Sequence, residues 1–218
     1  MRRRAVGRNV LRKEGHEKVT GLARYIDDIR FDDVLYVRTI RSTVPAGRIA
    51  DIRYGFDRSG FTVVDHRDVP GRNIVALIDE DQPSLADTCV RHIAEPIVLI
   101  AHTDRATLAT AEVEITYNET PPTLDPERSD TSFKSISIVK GQIDTGMAHA
   151  DLIVEGEYHA GHQEQLYIEP NGVVAIPENS GVTLYGSLQC PYYVHRALTV
   201  LLGLPADKDR VVQTETGG

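Results

Sequence analysis

Alternating apolar and polar positions mark residues 35–41 (LYVRTIR) as a β-strand. Pro45 and Gly47 punctuate the chain before a further β-rich stretch, RIADIR at 48–53. Phe61–Asp65 predicts a buried strand, 66–71 a loop, and the β-branched content of 73–78 a further strand. Residues 95–101 (EPIVLIA) form a short continuous apolar run, the pattern of a strand covered on both faces. Thr103 or Asp104 then caps a predicted helix that runs to about Val113, with Ala106, Ala109 and Val113 on one face. Residues 114–117 return as a strand, and this strand–helix–strand order predicts a βαβ unit.

The proline-rich stretch 119–126 (ETPPTLDP) breaks the pattern and opens a polar linker. Beyond it, alternation predicts a strand at 135–139 and a long strand beginning at 152–158, with a short helix between them inside 141–150. Residues 172–177 and 181–185 flank Glu178–Ser180 as a hairpin. The best-specified element follows. Pro191 suits the first helical position, and Val194, Ala197, Leu198 and Leu201 lie at helical spacing. Gly203 and Pro205 stop the helix, and a last strand leads into Gly217-Gly218. The stretch after Ser135 is expected to expose apolar faces.

With 218 residues the chain has room for one large domain or two small ones. A net charge of −8 and the absence of a basic stripe with interleaved aromatics argue against a nucleic-acid binder. No apolar stretch is long enough to span a bilayer, and no apolar core follows the basic start Met1–Arg8, so a membrane span and an export signal are not predicted. Two cysteines, Cys89 and Cys190, fit a reducing compartment and a cytoplasmic location.

Among polar residues Gln189 stands out. It falls between a strand and the helix that starts at Pro191, a crossing where open α/β layers place ligands. Its carboxamide donates and accepts without charge, which suits an oxygen ligand; the competing reading is a glutamine satisfied by nearby backbone. Gly217 and Gly218 form the second candidate, since glycines let backbone N–H groups approach a polar ring or phosphate; a plain turn is the alternative. His159, His162 and Glu164 lack metal-binding spacing, because only 162 and 164 would share a strand face. His195 is poorly placed to activate Cys190. Glu164 and Glu169, read as lying on opposite faces of a strand, make no acid/base pair. No catalytic set and no metal-ligand set is predicted within the chain.

At these residues the sequence resembles the large, molybdenum-cofactor-binding subunit of the xanthine dehydrogenase and aldehyde oxidase family. Residues 18–28 (KVTGLARYIDD), 41–49 (RSTVPAGRI), 90–97 (VRHIAEPI) and 114–122 (EITYNETPP) resemble successive parts of its α/β hammerhead domain. Residues 162–170 (HQEQLYIEP) and 186–218 resemble the start of its cofactor-binding region. Ala94 stands where the family commonly has glycine, and Ala46-Gly47 replaces a frequent histidine-containing pair.

The resemblance implies an α+β fold: an irregular tail at 1–17, a hammerhead domain at 18–122, a linker at 123–134, and an incomplete mixed α/β molybdopterin-binding domain at 135–218. It implies that Gln189 hydrogen-bonds an oxo ligand of molybdenum and that Gly217 and Gly218 open a loop cradling the pterin. The family's glutamate base, its remaining pterin contacts and its substrate pocket would lie beyond these residues. The implied cofactor is molybdenum–molybdopterin, with or without an appended nucleotide; iron–sulfur clusters and FAD would sit on partner subunits or domains. The implied activity is hydroxylation of an electron-poor carbon with water as the oxygen source, carried out with the remainder of the subunit and inactive in this chain alone. The other reading is a non-catalytic split-subunit or interaction module, distinguished by the coding sequence after Gly218.

Overall fold

The computed structural model describes residues 6–75 and 79–217. Met1–Ala5, the end of the predicted 73–78 strand and Gly218 lie outside the described residues. In chain order the elements are α1 (Gly15–Thr20), β1 (Tyr36–Arg41), β2 (Gly47–Tyr54), β3 (Thr62–Val64), β4 (Cys89–Val90), β5 (Pro96–His102), α2 (Arg105–Thr110) and β6 (Val113–Glu119). They continue with α3 (Ile143–Ala148), β7 (Val173–Glu178), β8 (Gly181–Gly186), α4 (Pro191–Leu202) and β9 (Asp209–Gln213). Contacts divide the chain into two compact units, one comprising residues up to Pro122 together with those from Tyr167 onward, the other Thr123–Leu166.

The larger unit holds three three-stranded sheets, ordered β1-β5-β3, β4-β2-β6 and β7-β8-β9. β5 is central in the first because its apolar run can be covered on both faces: Ile97, Val98 and Ile100 are 0–1% exposed. Each such burial contributes about 1.5–3 kcal/mol. Side chains of β2 and β6, including Ile49, Ile52, Ile115 and Tyr117, pack on the same core. β1, β5 and β6 thus form where the sequence predicts strands, and β3 occupies the middle of the predicted 61–65 strand.

The βαβ unit predicted around α2 is not formed. Both edges of β5 are taken, by β1 and β3 in antiparallel register, so β6 pairs with β2 in the other sheet. The helix is also shorter than predicted. Asp104 caps it, accepting from the Thr107 N–H at 2.7 Å and from the Thr107 hydroxyl. It ends at Thr110, because Arg38 reaches across from β1 and donates to the carbonyl oxygens of Ala109 and Ala111. Val113 therefore belongs to β6, and the buried face is Leu108 and Ala111, while Ala106 and Ala109 are exposed.

Ala94 occupies a position whose backbone suits the glycine of the resembled pattern. Its φ is +64°, the left-handed region that favours glycine. The conformation is fixed by two contacts, the Ala94 N–H donating to Ser42 O at 2.9 Å and the Arg41 guanidinium donating to Ala94 O at 3.0 Å.

The hairpin β7–β8 and the helix α4 form as predicted. Pro191 opens α4 and Gly203 closes it at φ +64°. Its final carbonyls are satisfied from far away in sequence: the N–H groups of Gly71 and Arg72 donate to Leu201 O and Val200 O at 2.8 and 3.0 Å. Only glycine fits at 71, since a Cβ there would lie 2.2 Å from Val200 O. The Asp65 carboxylate, held down to a pKa of about 2 chiefly by its hydrogen bonds from Arg67, organises the loop that leads to this contact.

In the smaller unit α3 lies within the predicted span, but the strands predicted at 135–139 and 152–158 are absent. Alternation supplies one apolar face and nothing more. Among the described residues no neighbouring strand takes up these backbone groups, and an isolated strand cannot satisfy its own. Ile138, Val154 and Tyr158 are accordingly 90%, 81% and 91% exposed.

Two outcomes follow from this packing. Ala94→Gly should raise the stability of the chain by about 1 kcal/mol, seen as a higher urea midpoint at unchanged slope; a lower midpoint would show that residue 94 is not left-handed. Limited proteolysis should cut within Thr123–Leu166 before it cuts between residues 36 and 119 or between 173 and 213. Equal cleavage rates in all three regions would refute that order.

Candidate functional site

β8 and β9 run parallel, joined through α4, and form a βαβ unit. Parallel pairing brings both carboxyl ends to one edge of the sheet. Gly186 is in register with Gln213, and the Thr214 N–H donates to Gly186 O at 2.9 Å. Two loops therefore leave side by side: 187–190, ending at the start of α4, and 214–217. This is the edge at which α/β sheets receive ligands.

The first loop is anchored at its root and open at its tip. Ser187 is buried and its N–H donates to Gly172 O at 3.0 Å. Gln189 and Cys190 are exposed. The Gln189 carboxamide thus stands at the solvent side of the sheet edge, not in an apolar interior. The backbone carbonyl of Cys190 starts α4 by accepting from the N–H of Tyr193 at 3.1 Å.

The second loop is held from the far side. The Gly217 N–H donates to Glu169 Oε2 at 2.6 Å. Glu215 pairs with Lys18, whose ammonium lies 5.4 Å from the centre of the Tyr25 ring. The Glu215 carboxylate, hydrogen-bonded to it, raises the Lys18 pKa above the ordinary lysine value. Tyr25 is fixed by a tight turn, its N–H donating to Asp28 Oδ2 at 3.0 Å, and the adjacent Ile26 is buried against Gly172 at the start of β7.

The structure thus brings the Gln189 and Gly217 loops to one edge; Gly218 lies outside the described residues. Three residues of this region were not legible as site residues: Lys18, Tyr25 and Glu169. The sequence pattern sets Glu169 and Glu164 on opposite faces of one strand. No strand forms there, and Glu169 turns to Gly217, 48 positions away. The same missing strand removes the shared face assigned to His162 and Glu164. His159 faces Glu157 at 3.0 Å, and the His195 Nε2 lies 2.9 Å from Ala206 O, engaged with the loop after α4 and not with Cys190.

A family model described as the aldehyde oxidase and xanthine dehydrogenase a/b hammerhead domain matches residues 20–121, and one described as the molybdopterin cofactor-binding domain matches residues 124–218. The nicotinate dehydrogenase large molybdopterin subunit of Eubacterium barkeri is 30% identical over 230 residues, covering 98% of this chain and 54% of that subunit. The xanthine dehydrogenase/oxidase of Gallus gallus is 32% identical over 227 residues, again covering 98% of this chain but 16% of the relative. The chain thus spans about half, or less, of the length of these relatives. In fold it is similar to quinoline 2-oxidoreductase from Pseudomonas putida 86, with a TM-score of 0.79 at 23% identity over 99% of this chain and 31% of that one. In sequence and in fold, the chain belongs to the xanthine dehydrogenase and aldehyde oxidase family of molybdenum hydroxylases.

Proposed function

We propose that this chain supplies the hammerhead domain, residues 18–122, and the opening of the molybdopterin-binding domain, residues 135–218, to a molybdenum hydroxylase that hydroxylates an electron-poor carbon with water as the oxygen source. The observation that carries the reading is the side-by-side exit of the Gln189 and Gly217 loops at the carboxyl ends of β8 and β9. Gln189 fits the cofactor. An exposed, uncharged carboxamide can donate to an oxygen ligand without displacing it from the metal. Gly217 and Gly218 open the loop proposed to line the pterin.

When bound, the molybdenum–pterin group supplies the two-electron oxidation. The protein's part is orientation: Ser187 and the start of α4 anchor the backbone of the loop that carries Gln189 on both sides. The substrate is a small molecule. Electrons would leave through iron–sulfur clusters and FAD on partner subunits or domains, in the cytoplasm. Among the described residues no helix is long and apolar enough to cross a membrane.

The test is metal analysis and an oxidation assay on the chain alone and on the chain assembled by co-expression with the remainder of the molybdenum-binding subunit. The chain alone should retain negligible molybdenum, and the assembly should bind it. In the assembly, Gln189→Ala should lower kcat by about tenfold to a hundredfold at unchanged molybdenum content. Stoichiometric metal on the chain alone, or full turnover by the variant, would overturn the proposed division of labour.

A further inference from the structure

We infer that Glu169 is a positioning residue that shapes the glycine loop from the protein side, before any cofactor is present. The inference deepens the proposed cofactor site and rests on that reading for its functional meaning. Gly217 is the natural candidate for backbone that approaches a ligand, yet its own surroundings are filled by protein. Its N–H is donated to the Glu169 carboxylate at 2.6 Å. A Cβ at this position would lie 2.8 Å from Glu169 Cβ and 3.4 Å from Tyr25 Cε1. The glycine is thus required by the close approach of Glu169, and the amide of Gly217 is already committed.

Two further observations make this contact more than a chance turn. Glu169 Oε1 is buried and has no hydrogen-bond partner among the described residues. With Oε2 on the Gly217 N–H and Oε1 shielded from solvent, the carboxylate is oriented towards the glycine loop. Two residues before Gly217, Glu215 is tied to Lys18, which also lies over the Tyr25 ring. The loop is therefore fastened twice, by Glu169 and by the segment carrying Lys18 and Tyr25. A hydrogen bond to a charged acceptor across 48 residues fixes the path of the loop relative to the strand end at Gln213.

The test is amide hydrogen exchange of the isolated chain followed residue by residue, with no cofactor in the readout. The Gly217 amide should be protected about tenfold or more relative to an open loop. Glu169→Ala should abolish that protection while β8 and β9 exchange as before. Glu169→Gln, which keeps an oxygen acceptor of the same shape, should restore most of it. Undiminished protection in Glu169→Ala would overturn the inference. If that variant does not fold, the unmodified chain decides: an unprotected Gly217 amide also overturns it. Molybdenum retention by the co-expressed assembly tests the cofactor reading separately, so failure of one is told apart from failure of the other.

Discussion

The parallel pairing of β8 with β9 is the constraint on which the candidate site depends. A parallel pair cannot be joined by a tight turn, so the chain must cross over, and α4 is that crossover. Once Gly186 and Gln213 are in register, both strands end at one edge and the loops that follow must emerge together. A hairpin in the same place would have sent Gln189 and Gly217 to opposite ends of the sheet. The chemistry proposed for this edge is available only because the connection is long.

The crossover is itself held by a distant part of the chain. The last turn of α4 needs acceptors satisfied at Val200 and Leu201, and these are met by the N–H groups of Gly71 and Arg72. A loop of the first sheet region therefore completes the helix of the last. The same relation recurs at the other end, where Ile26 packs against Gly172 and Lys18 pairs with Glu215. Residues 167–217 are thus built onto the hammerhead core at several points, which accounts for their forming one compact unit with residues up to Pro122. Among the described residues, Thr123–Leu166 has no strand partners to bury its alternating apolar positions, and these are exposed.

Much of this was legible from local pattern. The continuous apolar run of β5 specified a strand covered on both faces, and Pro191, Gly203 and Pro205 specified α4 at both ends, because periodicity and backbone restriction act within a few residues. The motifs at 18–28, 41–49, 90–97, 114–122, 162–170 and 186–218 together carry the family resemblance, and the place of Gln189 between a strand and a helix start makes it a site candidate. The predicted βαβ unit around α2 was misread for the opposite reason. Whether two strands share a sheet depends on which edges are already occupied, and β1 and β3 had taken both edges of β5.

By itself, then, the sequence determined the type of β1, β5, β6, the β7–β8 hairpin and α4, the caps of that last helix and the family. Only the tertiary structure decided that Val113 ends no helix but starts a strand, that the strands expected at 135–139 and 152–158 do not form, and that Glu169 faces Gly217. The physical reason is common to all three. Each depends on a partner dozens of residues away, Arg38 for the end of α2, an absent neighbouring strand for the second, and an amide 48 positions on for the third. Local propensity is written into neighbouring residues; pairing and hydrogen-bond satisfaction are settled between segments that meet only in the folded chain.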